Sequence, residues 1–146
     1  MHDVGMRLQL ALNVTDLDAS VEYYSTMFGA TPAKREPGYA NFAIVDPPLK
    51  LVLFEVDGAP QDPGAADFHH LNHLGVETDD VDQVQVADAR LTGGDVETTG
   101  VDDTVCCYAE KTETWSTSPD GARWEWYVKT GDASTIEHRS LTSDCC

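Results

Sequence analysis

The residues with the most distinctive chemistry are four cysteines, which occur as two adjacent pairs in a sequence of 146 residues. Cys106 and Cys107 lie in the segment TVCCYAEKT, and Cys145 and Cys146 are the last two residues. Adjacent cysteines suit disulfide bonds poorly, because bridged Cα atoms usually lie farther apart than the roughly 3.8 Å across a trans peptide. Thiolates prefer soft ions such as Cu(I), Cd(II) and trivalent arsenic. The pairs therefore predict free thiols that bind a soft metal or metalloid in a reducing compartment.

Two interpretations of Cys106 and Cys107 remain open. In a regular strand, neighbouring side chains point to opposite faces, so one thiol would be buried in the core and the other would be incidental. For both sulfurs to bind one atom, the pair must lie at a bend or in a loop, which the preceding GVDDT favours. A loop that begins with glycine and acidic residues could open and close over a bound substrate.

The charge balance excludes several classes of partner. The chain has 26 Asp and Glu against 9 Lys and Arg, for a net charge of -17, which repels nucleic acid and anionic lipid. Only four lysines occur, and we interpret this as adaptation to a high-salt, halophilic cytoplasm, with an acidic mesophilic protein as the alternative. No apolar run approaches the roughly 20 residues of a membrane span, and the N-terminal segment has no signal-peptide pattern. We therefore expect a cytoplasmic protein with no membrane partner.

An internal repeat organises the sequence. The segment QLALNVTDLDASVEYYSTMFG matches HLGVETDDVDQVQVADARLTG, and each combines alternating apolar residues with an acidic turn and a helical pattern. Each copy has an aspartate suited to cap a helix N-terminus and a glycine suited to end it. These residues are Asp16 and Gly29 in the first copy, and Asp80 and Gly93 in the second.

Short strands follow each predicted helix. We predict strands at YANFAIV and KLVLFEV in the first half, and at DVETTGV, TVCCYAE, TWSTSP and RWEWYV in the second, with a turn at SPDGA. Each half is then roughly βαβββ, which predicts an α+β fold of two modules whose sheets pair around a shared cleft. The predicted bounds are one domain over 1–130, with module one at about 7–57, a linker at about 58–69, module two at about 70–130, and a polar, flexible tail over 131–146.

This layout resembles the vicinal-oxygen-chelate superfamily of glyoxalase I, extradiol dioxygenases and bleomycin and fosfomycin resistance proteins. The resemblance covers roughly residues 7–130 and depends on NVTDLDASVEYYSTMFG and on SPDGARWEWY, which is similar to the D-P-D-G-x-x-x-E ending of that superfamily. It implies that the paired sheets hold one divalent metal, with ligands on the first and last strands of each module.

By this resemblance the metal ligands are Gln9, His73 and Glu125. Gln9 and His73 occupy equivalent places in the repeat, whereas the first-module counterpart of Glu125 lies near the apolar Leu53. An amide, an imidazole and a carboxylate come close to the facial triad of non-haem Fe(II) oxygenases, and the missing fourth ligand argues against glyoxalase I. The competing interpretation is that Glu125 is the exposed residue of an alternating strand and His73 a packed one. We interpret His69 and His70 as linker residues.

The closest resemblance is to one subfamily, the Fe(II)- and O2-dependent carbon–arsenic lyases of arsenic resistance (ArsI type) and the cadmium-induced protein CadI. It depends on GYANFAIVDPPLKLVL, NHLGVE, DTVCCYA and the terminal CC. It implies that Cys106 and Cys107 bind a trivalent organoarsenical, that Fe(II) and O2 cleave its carbon–arsenic bond, and that arsenite is released. Cys145 and Cys146 would receive or deliver the metalloid, or would form an exposed end with no function.

Three functions remain open: this lyase, a cadmium- or arsenite-binding resistance protein without turnover, and another glyoxalase- or dioxygenase-like metalloenzyme. The sequence also leaves open whether the bound metal is Fe(II), Mn(II) or Ni(II), and whether the arsenical is methylated or aromatic. It does not decide whether the modules pair within one chain or across a homodimer.

Overall fold

The computed structural model describes residues 5–56, 69–106 and 109–132. These residues divide into two compact units, which we call the first module (residues 8–72) and the second module (residues 73–132 together with 5–7). In the described ranges, neither helix has the length and apolar character needed to cross a bilayer. The predicted linker and tail, apart from their edges, lie outside the described residues.

The first module is built from one helix and four strands in the order β1, α1, β2, β3, β4. In space the strands follow the order β2-β3-β4-β1; β1 and β4 are parallel, and the other neighbours are antiparallel. The elements span Arg7–Val14 (β1), Leu17–Phe28 (α1), Lys34–Glu36 (β2), Tyr39–Ile44 (β3) and Leu49–Glu55 (β4). This is the predicted βαβββ arrangement. Its short β2 is the one strand after the helix that no motif had indicated.

Local signals at both ends of α1 explain its bounds. Asp16 adopts an extended backbone, and its carboxylate accepts a hydrogen bond from the Ala19 amide, which would otherwise have no partner within the helix. Gly29 follows the helix with a φ of 63°, a left-handed conformation that glycine adopts without steric cost. Both predicted boundary residues of the first copy are therefore confirmed.

An apolar core lies between α1 and one face of the first-module sheet. Leu17 and Val21 on the helix pack against alternate residues of the strands, such as Phe42 and Leu53, both of which are fully buried. The buried members of this core are Val14, Leu17, Val21, Ala40, Phe42, Ile44, Leu51 and Leu53. Burial of this many apolar side chains stabilises the module without any disulfide.

The second module repeats the same order of elements. Its strands are arranged β5-β8-β7-β6, with β5 and β8 parallel and the other neighbours antiparallel. The elements span Leu71–Glu77 (β5), Val81–Gly93 (α2), Asp102–Cys106 (β6), Ala109–Thr117 (β7) and Arg123–Asp132 (β8). The prediction of an α+β fold made of two βαβββ modules is confirmed.

The second helix differs from the first at its C-terminus. Asp80 caps the N-terminus by accepting from the Gln83 amide at 3.0 Å, as predicted. Gly93, however, is the last residue of the helix, and the C-cap is Gly94, whose amide donates to the carbonyls of Arg90 and Leu91. The predicted stop at Gly93 is therefore wrong by one residue. Either of the two successive glycines could end the helix, and the hydrogen bonds of the Gly94 amide identify Gly94 as the C-cap.

Residues 95–101, predicted as the strand DVETTGV, form no strand. Asp95 has a φ of 68°, and the Thr98 hydroxyl donates to Asp88 on α2 at 2.6 Å and accepts from the Gly100 amide. Thr99 uses both its amide and its hydroxyl to bond Trp115. Hydrogen bonds to α2 and to Trp115 thus replace a strand ladder in this segment.

The predicted strand TVCCYAE is also divided. β6 ends at Cys106 and β7 begins at Ala109, and these two residues are partners in an antiparallel register. The predicted turn SPDGA is confirmed: the Ser118 amide donates to the Ala122 carbonyl, and Gly121 has a φ of 95°. This turn reverses the chain into β8, which runs two residues beyond the predicted end of the module.

Candidate metal centre

One face of the second-module sheet carries a set of buried polar side chains. β7 and β8 pair so that Trp115 lies opposite Glu125, and β5 and β8 pair so that Gly75 lies beside Glu125. His73 is two residues before Gly75 on β5, and alternate residues of a strand share a face, so His73 lies on the same face as Glu125. The members of this face are His73, Lys111, Glu113, Trp115, Glu125 and Tyr127, all of which are buried.

His73 and Glu125 form the centre of this face. Both side chains are 0% exposed, and His73 Nε2 lies 3.5 Å from Glu125 Oε2. The Trp115 ring lies edge-on to the imidazole, with 5.0 Å between centroids. The alternative that Glu125 is the exposed residue of an alternating strand is therefore wrong, because the tryptophans on either side of it turn towards the opposite face.

Lys111 is a functional candidate that the sequence analysis missed. Its ammonium lies 3.1 Å and 3.3 Å from the two carboxylate oxygens of Glu125 and is itself only 6% exposed. It also lies 5.0 Å from the centroid of the Tyr127 ring, whose electron-rich face attracts a cation. A register shift between Glu110 and Lys111 marks a bulge at this point of the hairpin, a common device for redirecting a side chain.

The ion pairs set the protonation states of this cluster. Burial alone would raise the pKa of Glu125, but the Lys111 ammonium and His73 outweigh it and lower that pKa to about 2. Burial lowers the pKa of His73, and the nearby carboxylate of Glu125 only partly offsets the effect. Burial would also lower the pKa of Lys111, yet Glu125 and Glu113 raise it overall. At neutral pH the site therefore contains a carboxylate, a neutral imidazole and an ammonium.

Glu113 is a second carboxyl group beside the same ammonium. Its Oε2 accepts a hydrogen bond from Trp115 Nε1 at 3.0 Å, and its Oε1 lies 3.4 Å from Lys111 Nζ as an ion pair. Among the described residues, Glu113 Oε1 is a buried oxygen that no donor approaches with hydrogen-bond geometry. Burial raises the pKa of Glu113, although Lys111 opposes that shift.

The buried pair has the chemistry of metal ligands. A neutral imidazole and an ionised carboxylate are donors that divalent transition metals accept, and metal bonds of about 2.0–2.2 Å allow one ion to reach two atoms 3.5 Å apart. In the part of the chain that the structure describes, no group of three or more His, Cys, Asp or Glu side chains could hold a metal. The pair fits a divalent metal, provided that a residue of another type supplies a further ligand.

Gln9, the predicted amide ligand, is a buried residue of β1 in the first module, with 5% exposure. The pairing of β1 with β4 also defines the counterpart of Glu125, which was predicted near Leu53. Ala11, which is equivalent to Gly75 in the repeat, pairs with Val52, so the counterpart is Val52, the residue next to Leu53. Both residues are apolar, and the inference that the first module lacks this carboxylate stands.

The structure places the remaining predicted residues in part. Cys106 is the last residue of β6, whereas Cys107, Cys145 and Cys146 lie outside the described residues. His69 and His70 are exposed and precede β5; their carbonyls accept hydrogen bonds from the Asn13 side chain and amide. These two histidines thus contribute backbone contacts at the start of the strand that carries His73.

Comparison with known proteins agrees with the fold. The model of the Glyoxalase/Bleomycin resistance protein/Dioxygenase superfamily matches residues 7–126. A trivalent organoarsenical cleaving enzyme of Thermomonospora curvata is 50% identical over 96% of this chain and 87% of its own length. The cadmium-induced protein CadI of Mycobacterium tuberculosis is 50% identical over 89% of this chain and 80% of its own length.

Solved structures share the fold at low sequence identity. The Mn(II)-bound glyoxalase of Novosphingobium aromaticivorans has a TM-score of 0.60 at 15% identity and covers 95% of this chain and 42% of that chain. The 2,3-dioxygenase LapB of Pseudomonas sp. KL28 has a TM-score of 0.61 at 18% identity and covers 91% of this chain and 44% of that chain. With its two βαβββ modules and a family match over most of its length, the chain belongs to the Glyoxalase/Bleomycin resistance protein/Dioxygenase superfamily.

Proposed function

We propose that this chain is an Fe(II)- and O2-dependent carbon–arsenic lyase that acts on trivalent organoarsenicals such as methylarsenite. The observation that carries the proposal is the 50% identity, over nearly the whole chain, to an enzyme named for cleaving trivalent organoarsenicals. The buried pair of a neutral His73 and an ionised Glu125 supports it, because such donors suit a divalent transition metal.

The proposed metal ligands are His73, Glu125 and Gln9. A neutral amide is a weak donor, so a centre of this composition would leave the metal with open positions and strong Lewis acidity. Fe(II), when bound, would activate O2 for reaction with the carbon–arsenic bond, whose carbon supplies the electrons. Trp115 packs edge-on against His73 and would hold the imidazole in a fixed orientation.

The proposed substrate ligands are Cys106 and Cys107. Two thiols can replace two hydroxyl groups of a trivalent arsenical, forming two arsenic–sulfur bonds and releasing two waters while the organic group remains on arsenic. This clamp would fix the carbon–arsenic bond relative to the metal, so catalysis would depend on positioning. One methylarsenite and one O2 contain the atoms of one arsenite and one formaldehyde, and no further reductant is required. Cys145 and Cys146 would transfer the metalloid to or from this pair.

The test is a turnover assay on the full chain. The protein is loaded with Fe(II) without oxygen in molar KCl, methylarsenite is added, air is admitted, and arsenite is measured by chromatography with arsenic detection. We expect catalytic release of arsenite that is lost in Cys106→Ser and in His73→Ala. His69→Ala, which removes an exposed imidazole near the same strand, is the matched control and should retain turnover.

Two other outcomes would change the assignment. Tight binding of methylarsenite or Cd(II) without release of arsenite would indicate a sequestering protein, a function favoured by the 50% identity to cadmium-induced relatives. Metal-dependent chemistry that survives Cys106→Ser would indicate another kind of superfamily enzyme, because glyoxalase-like or extradiol reactions do not need the thiols.

A further inference from the structure

Lys111 is the ion-pair partner of Glu125, the proposed metal ligand. Its ammonium contacts both oxygens of that carboxylate, at 3.1 Å and 3.3 Å, from a position that is 6% exposed. A carboxylate has lone pairs for more than one partner, but an ammonium and a metal ion on the same two oxygens would lie close together and repel each other. The ammonium and a metal therefore compete for the same oxygens of Glu125.

Glu113 provides a second acceptor for the same ammonium. Trp115 fixes one oxygen of Glu113 at 3.0 Å, while the other oxygen lies 3.4 Å from Lys111 Nζ and, among the described residues, receives no hydrogen bond. A buried acceptor without a hydrogen bond is costly, so an ammonium that shifted towards Glu113 would relieve that cost. Lys111 thus lies between two carboxylates, one of which is a proposed metal ligand.

Charge makes the competition strong. A divalent ion placed beside Glu125 would be repelled by an ammonium at the same carboxylate, and repulsion between buried charges is poorly screened. If Lys111 turned towards Glu113, its charge would be neutralised there and the distance to the metal would grow. The Tyr127 ring, 5.0 Å from Nζ, would stabilise the ammonium along this short path.

We propose that Lys111 is a resident counter-cation that pairs with Glu125 in the metal-free protein and moves to Glu113 when a divalent metal binds. The proposal rests on the proposed metal centre and assigns Lys111 a positioning role: it holds the Glu125 carboxylate in place without metal, and it sets how tightly the metal is held. Removal of the ammonium should then destabilise the metal-free fold, which loses a counter-ion, and strengthen metal binding, because the metal loses a competitor.

The first test measures Mn(II) binding by calorimetry and the urea unfolding of the metal-free protein. Lys111→Met should bind Mn(II) at least about tenfold more tightly than the parent while its metal-free form unfolds at lower urea. Lys129→Met is the matched control, because Lys129 is the exposed partner of Lys111 in the β7–β8 register and carries the same charge. It should leave both properties close to those of the parent.

A second variant serves if Lys111→Met fails to fold. Glu113→Gln retains a hydrogen-bond acceptor but removes the charge that receives the ammonium, so Lys111 should remain on Glu125 and Mn(II) should bind several-fold more weakly. Glu110→Gln, an exposed change of equal charge on the same strand, should leave Mn(II) binding unaltered.

The outcomes separate this proposal from the metal centre itself. Mn(II) binding that is abolished by His73→Ala but unaffected by both Lys111→Met and Glu113→Gln would overturn the role of Lys111 and leave the centre in place. If Mn(II) binding survives His73→Ala, or if neither the parent nor Lys111→Met binds Mn(II), both the metal centre and the role of Lys111 are overturned. A variant that is weaker in stability and in metal binding would make Lys111 a structural residue only.

Discussion

The two buried carboxyl groups on one face of the second module have pKa values shifted in opposite directions. Glu125 has both oxygens on Lys111 and a neighbouring His73, so its pKa falls to about 2 despite full burial. Glu113 has one tryptophan donor and a more distant contact to the same ammonium, so burial prevails and its pKa rises. At the scale of single residues, the two carboxyl groups differ in the number of donors around each carboxylate.

The lowered pKa of His73 predicts how the stability of the metal-free protein changes with pH. In the unfolded chain the imidazole takes up a proton near its ordinary pKa of about 6.5, whereas the folded protein takes it up only at lower pH. The stabilisation is therefore present above pH 6.5 and is lost as the pH falls below it. Urea unfolding from about pH 7.5 to about pH 5.5 should show a decline of at most about 1.4 kcal/mol per pH unit from this group.

His73→Gln is the comparison for this slope, since glutamine can hydrogen-bond but does not titrate. We expect its unfolding free energy to depend less steeply on pH over the same range than that of the parent. Equal slopes in the two proteins would mean that His73 is protonated alike in the folded and unfolded chains, which contradicts its burial as a neutral imidazole.

At the scale of secondary structure, the sequence predicts the elements with local signals and misses those that depend on tertiary contacts. Asp16, Asp80 and Gly29 are set by hydrogen bonds within a few residues, and the sequence identifies all three. The segment over 95–101 has threonines typical of a strand, but its hydrogen bonds go to Asp88 on α2 and to Trp115 on β7. No local pattern reveals such partners.

The same distinction explains the site. The predicted strands TVCCYAE and TWSTSP leave Lys111 and Glu113 between them, whereas β7 runs continuously over Ala109–Thr117 and places both on the face of Trp115. Lysine and glutamate are ordinarily exposed, so their composition gave no reason to expect them on a buried face. His73 is identifiable from the sequence through the repeat, and Glu125 through the turn that precedes its strand. A buried Glu125 requires a positive partner, and a search of the neighbouring strand for a basic residue would have identified Lys111.

The two glycines that the repeat treats as equivalent give a test at the level of the helices. Gly29 has a φ of 63° and open space where a Cβ would lie, so Gly29→Ala should cost about 1 kcal/mol from backbone strain alone. Gly93 lies within α2 without a positive φ and also with open space, so Gly93→Ala should stabilise by about 0.5–1 kcal/mol. Urea unfolding of the two variants should therefore shift in opposite directions, and a shift of the same sign would mean that the helix ends are wrongly assigned.

At the scale of the whole molecule, the net charge of -17 governs the response to salt. Self-repulsion among exposed carboxylates opposes folding, and it is largely screened once the Debye length falls to about 3 Å near 1 M salt. We expect the free energy of unfolding in urea, which carries no charge, to rise as KCl is added. A rise that levels off well below molar KCl would indicate screening in an ordinary acidic protein, whereas a continuing rise would support the halophilic interpretation.

The substitution of Val52 for Glu125 between the two copies of the repeat bears on how the gene can change. The first copy has an apolar core and, at the matching position, a side chain that cannot bind a cation; the second copy has the buried charges. The two copies of the repeat thus differ in the chemistry of their interiors. The buried charges can change within the second copy alone, whereas a metal centre that includes Gln9 also depends on the first copy, so a new reactivity would require matched changes in both halves.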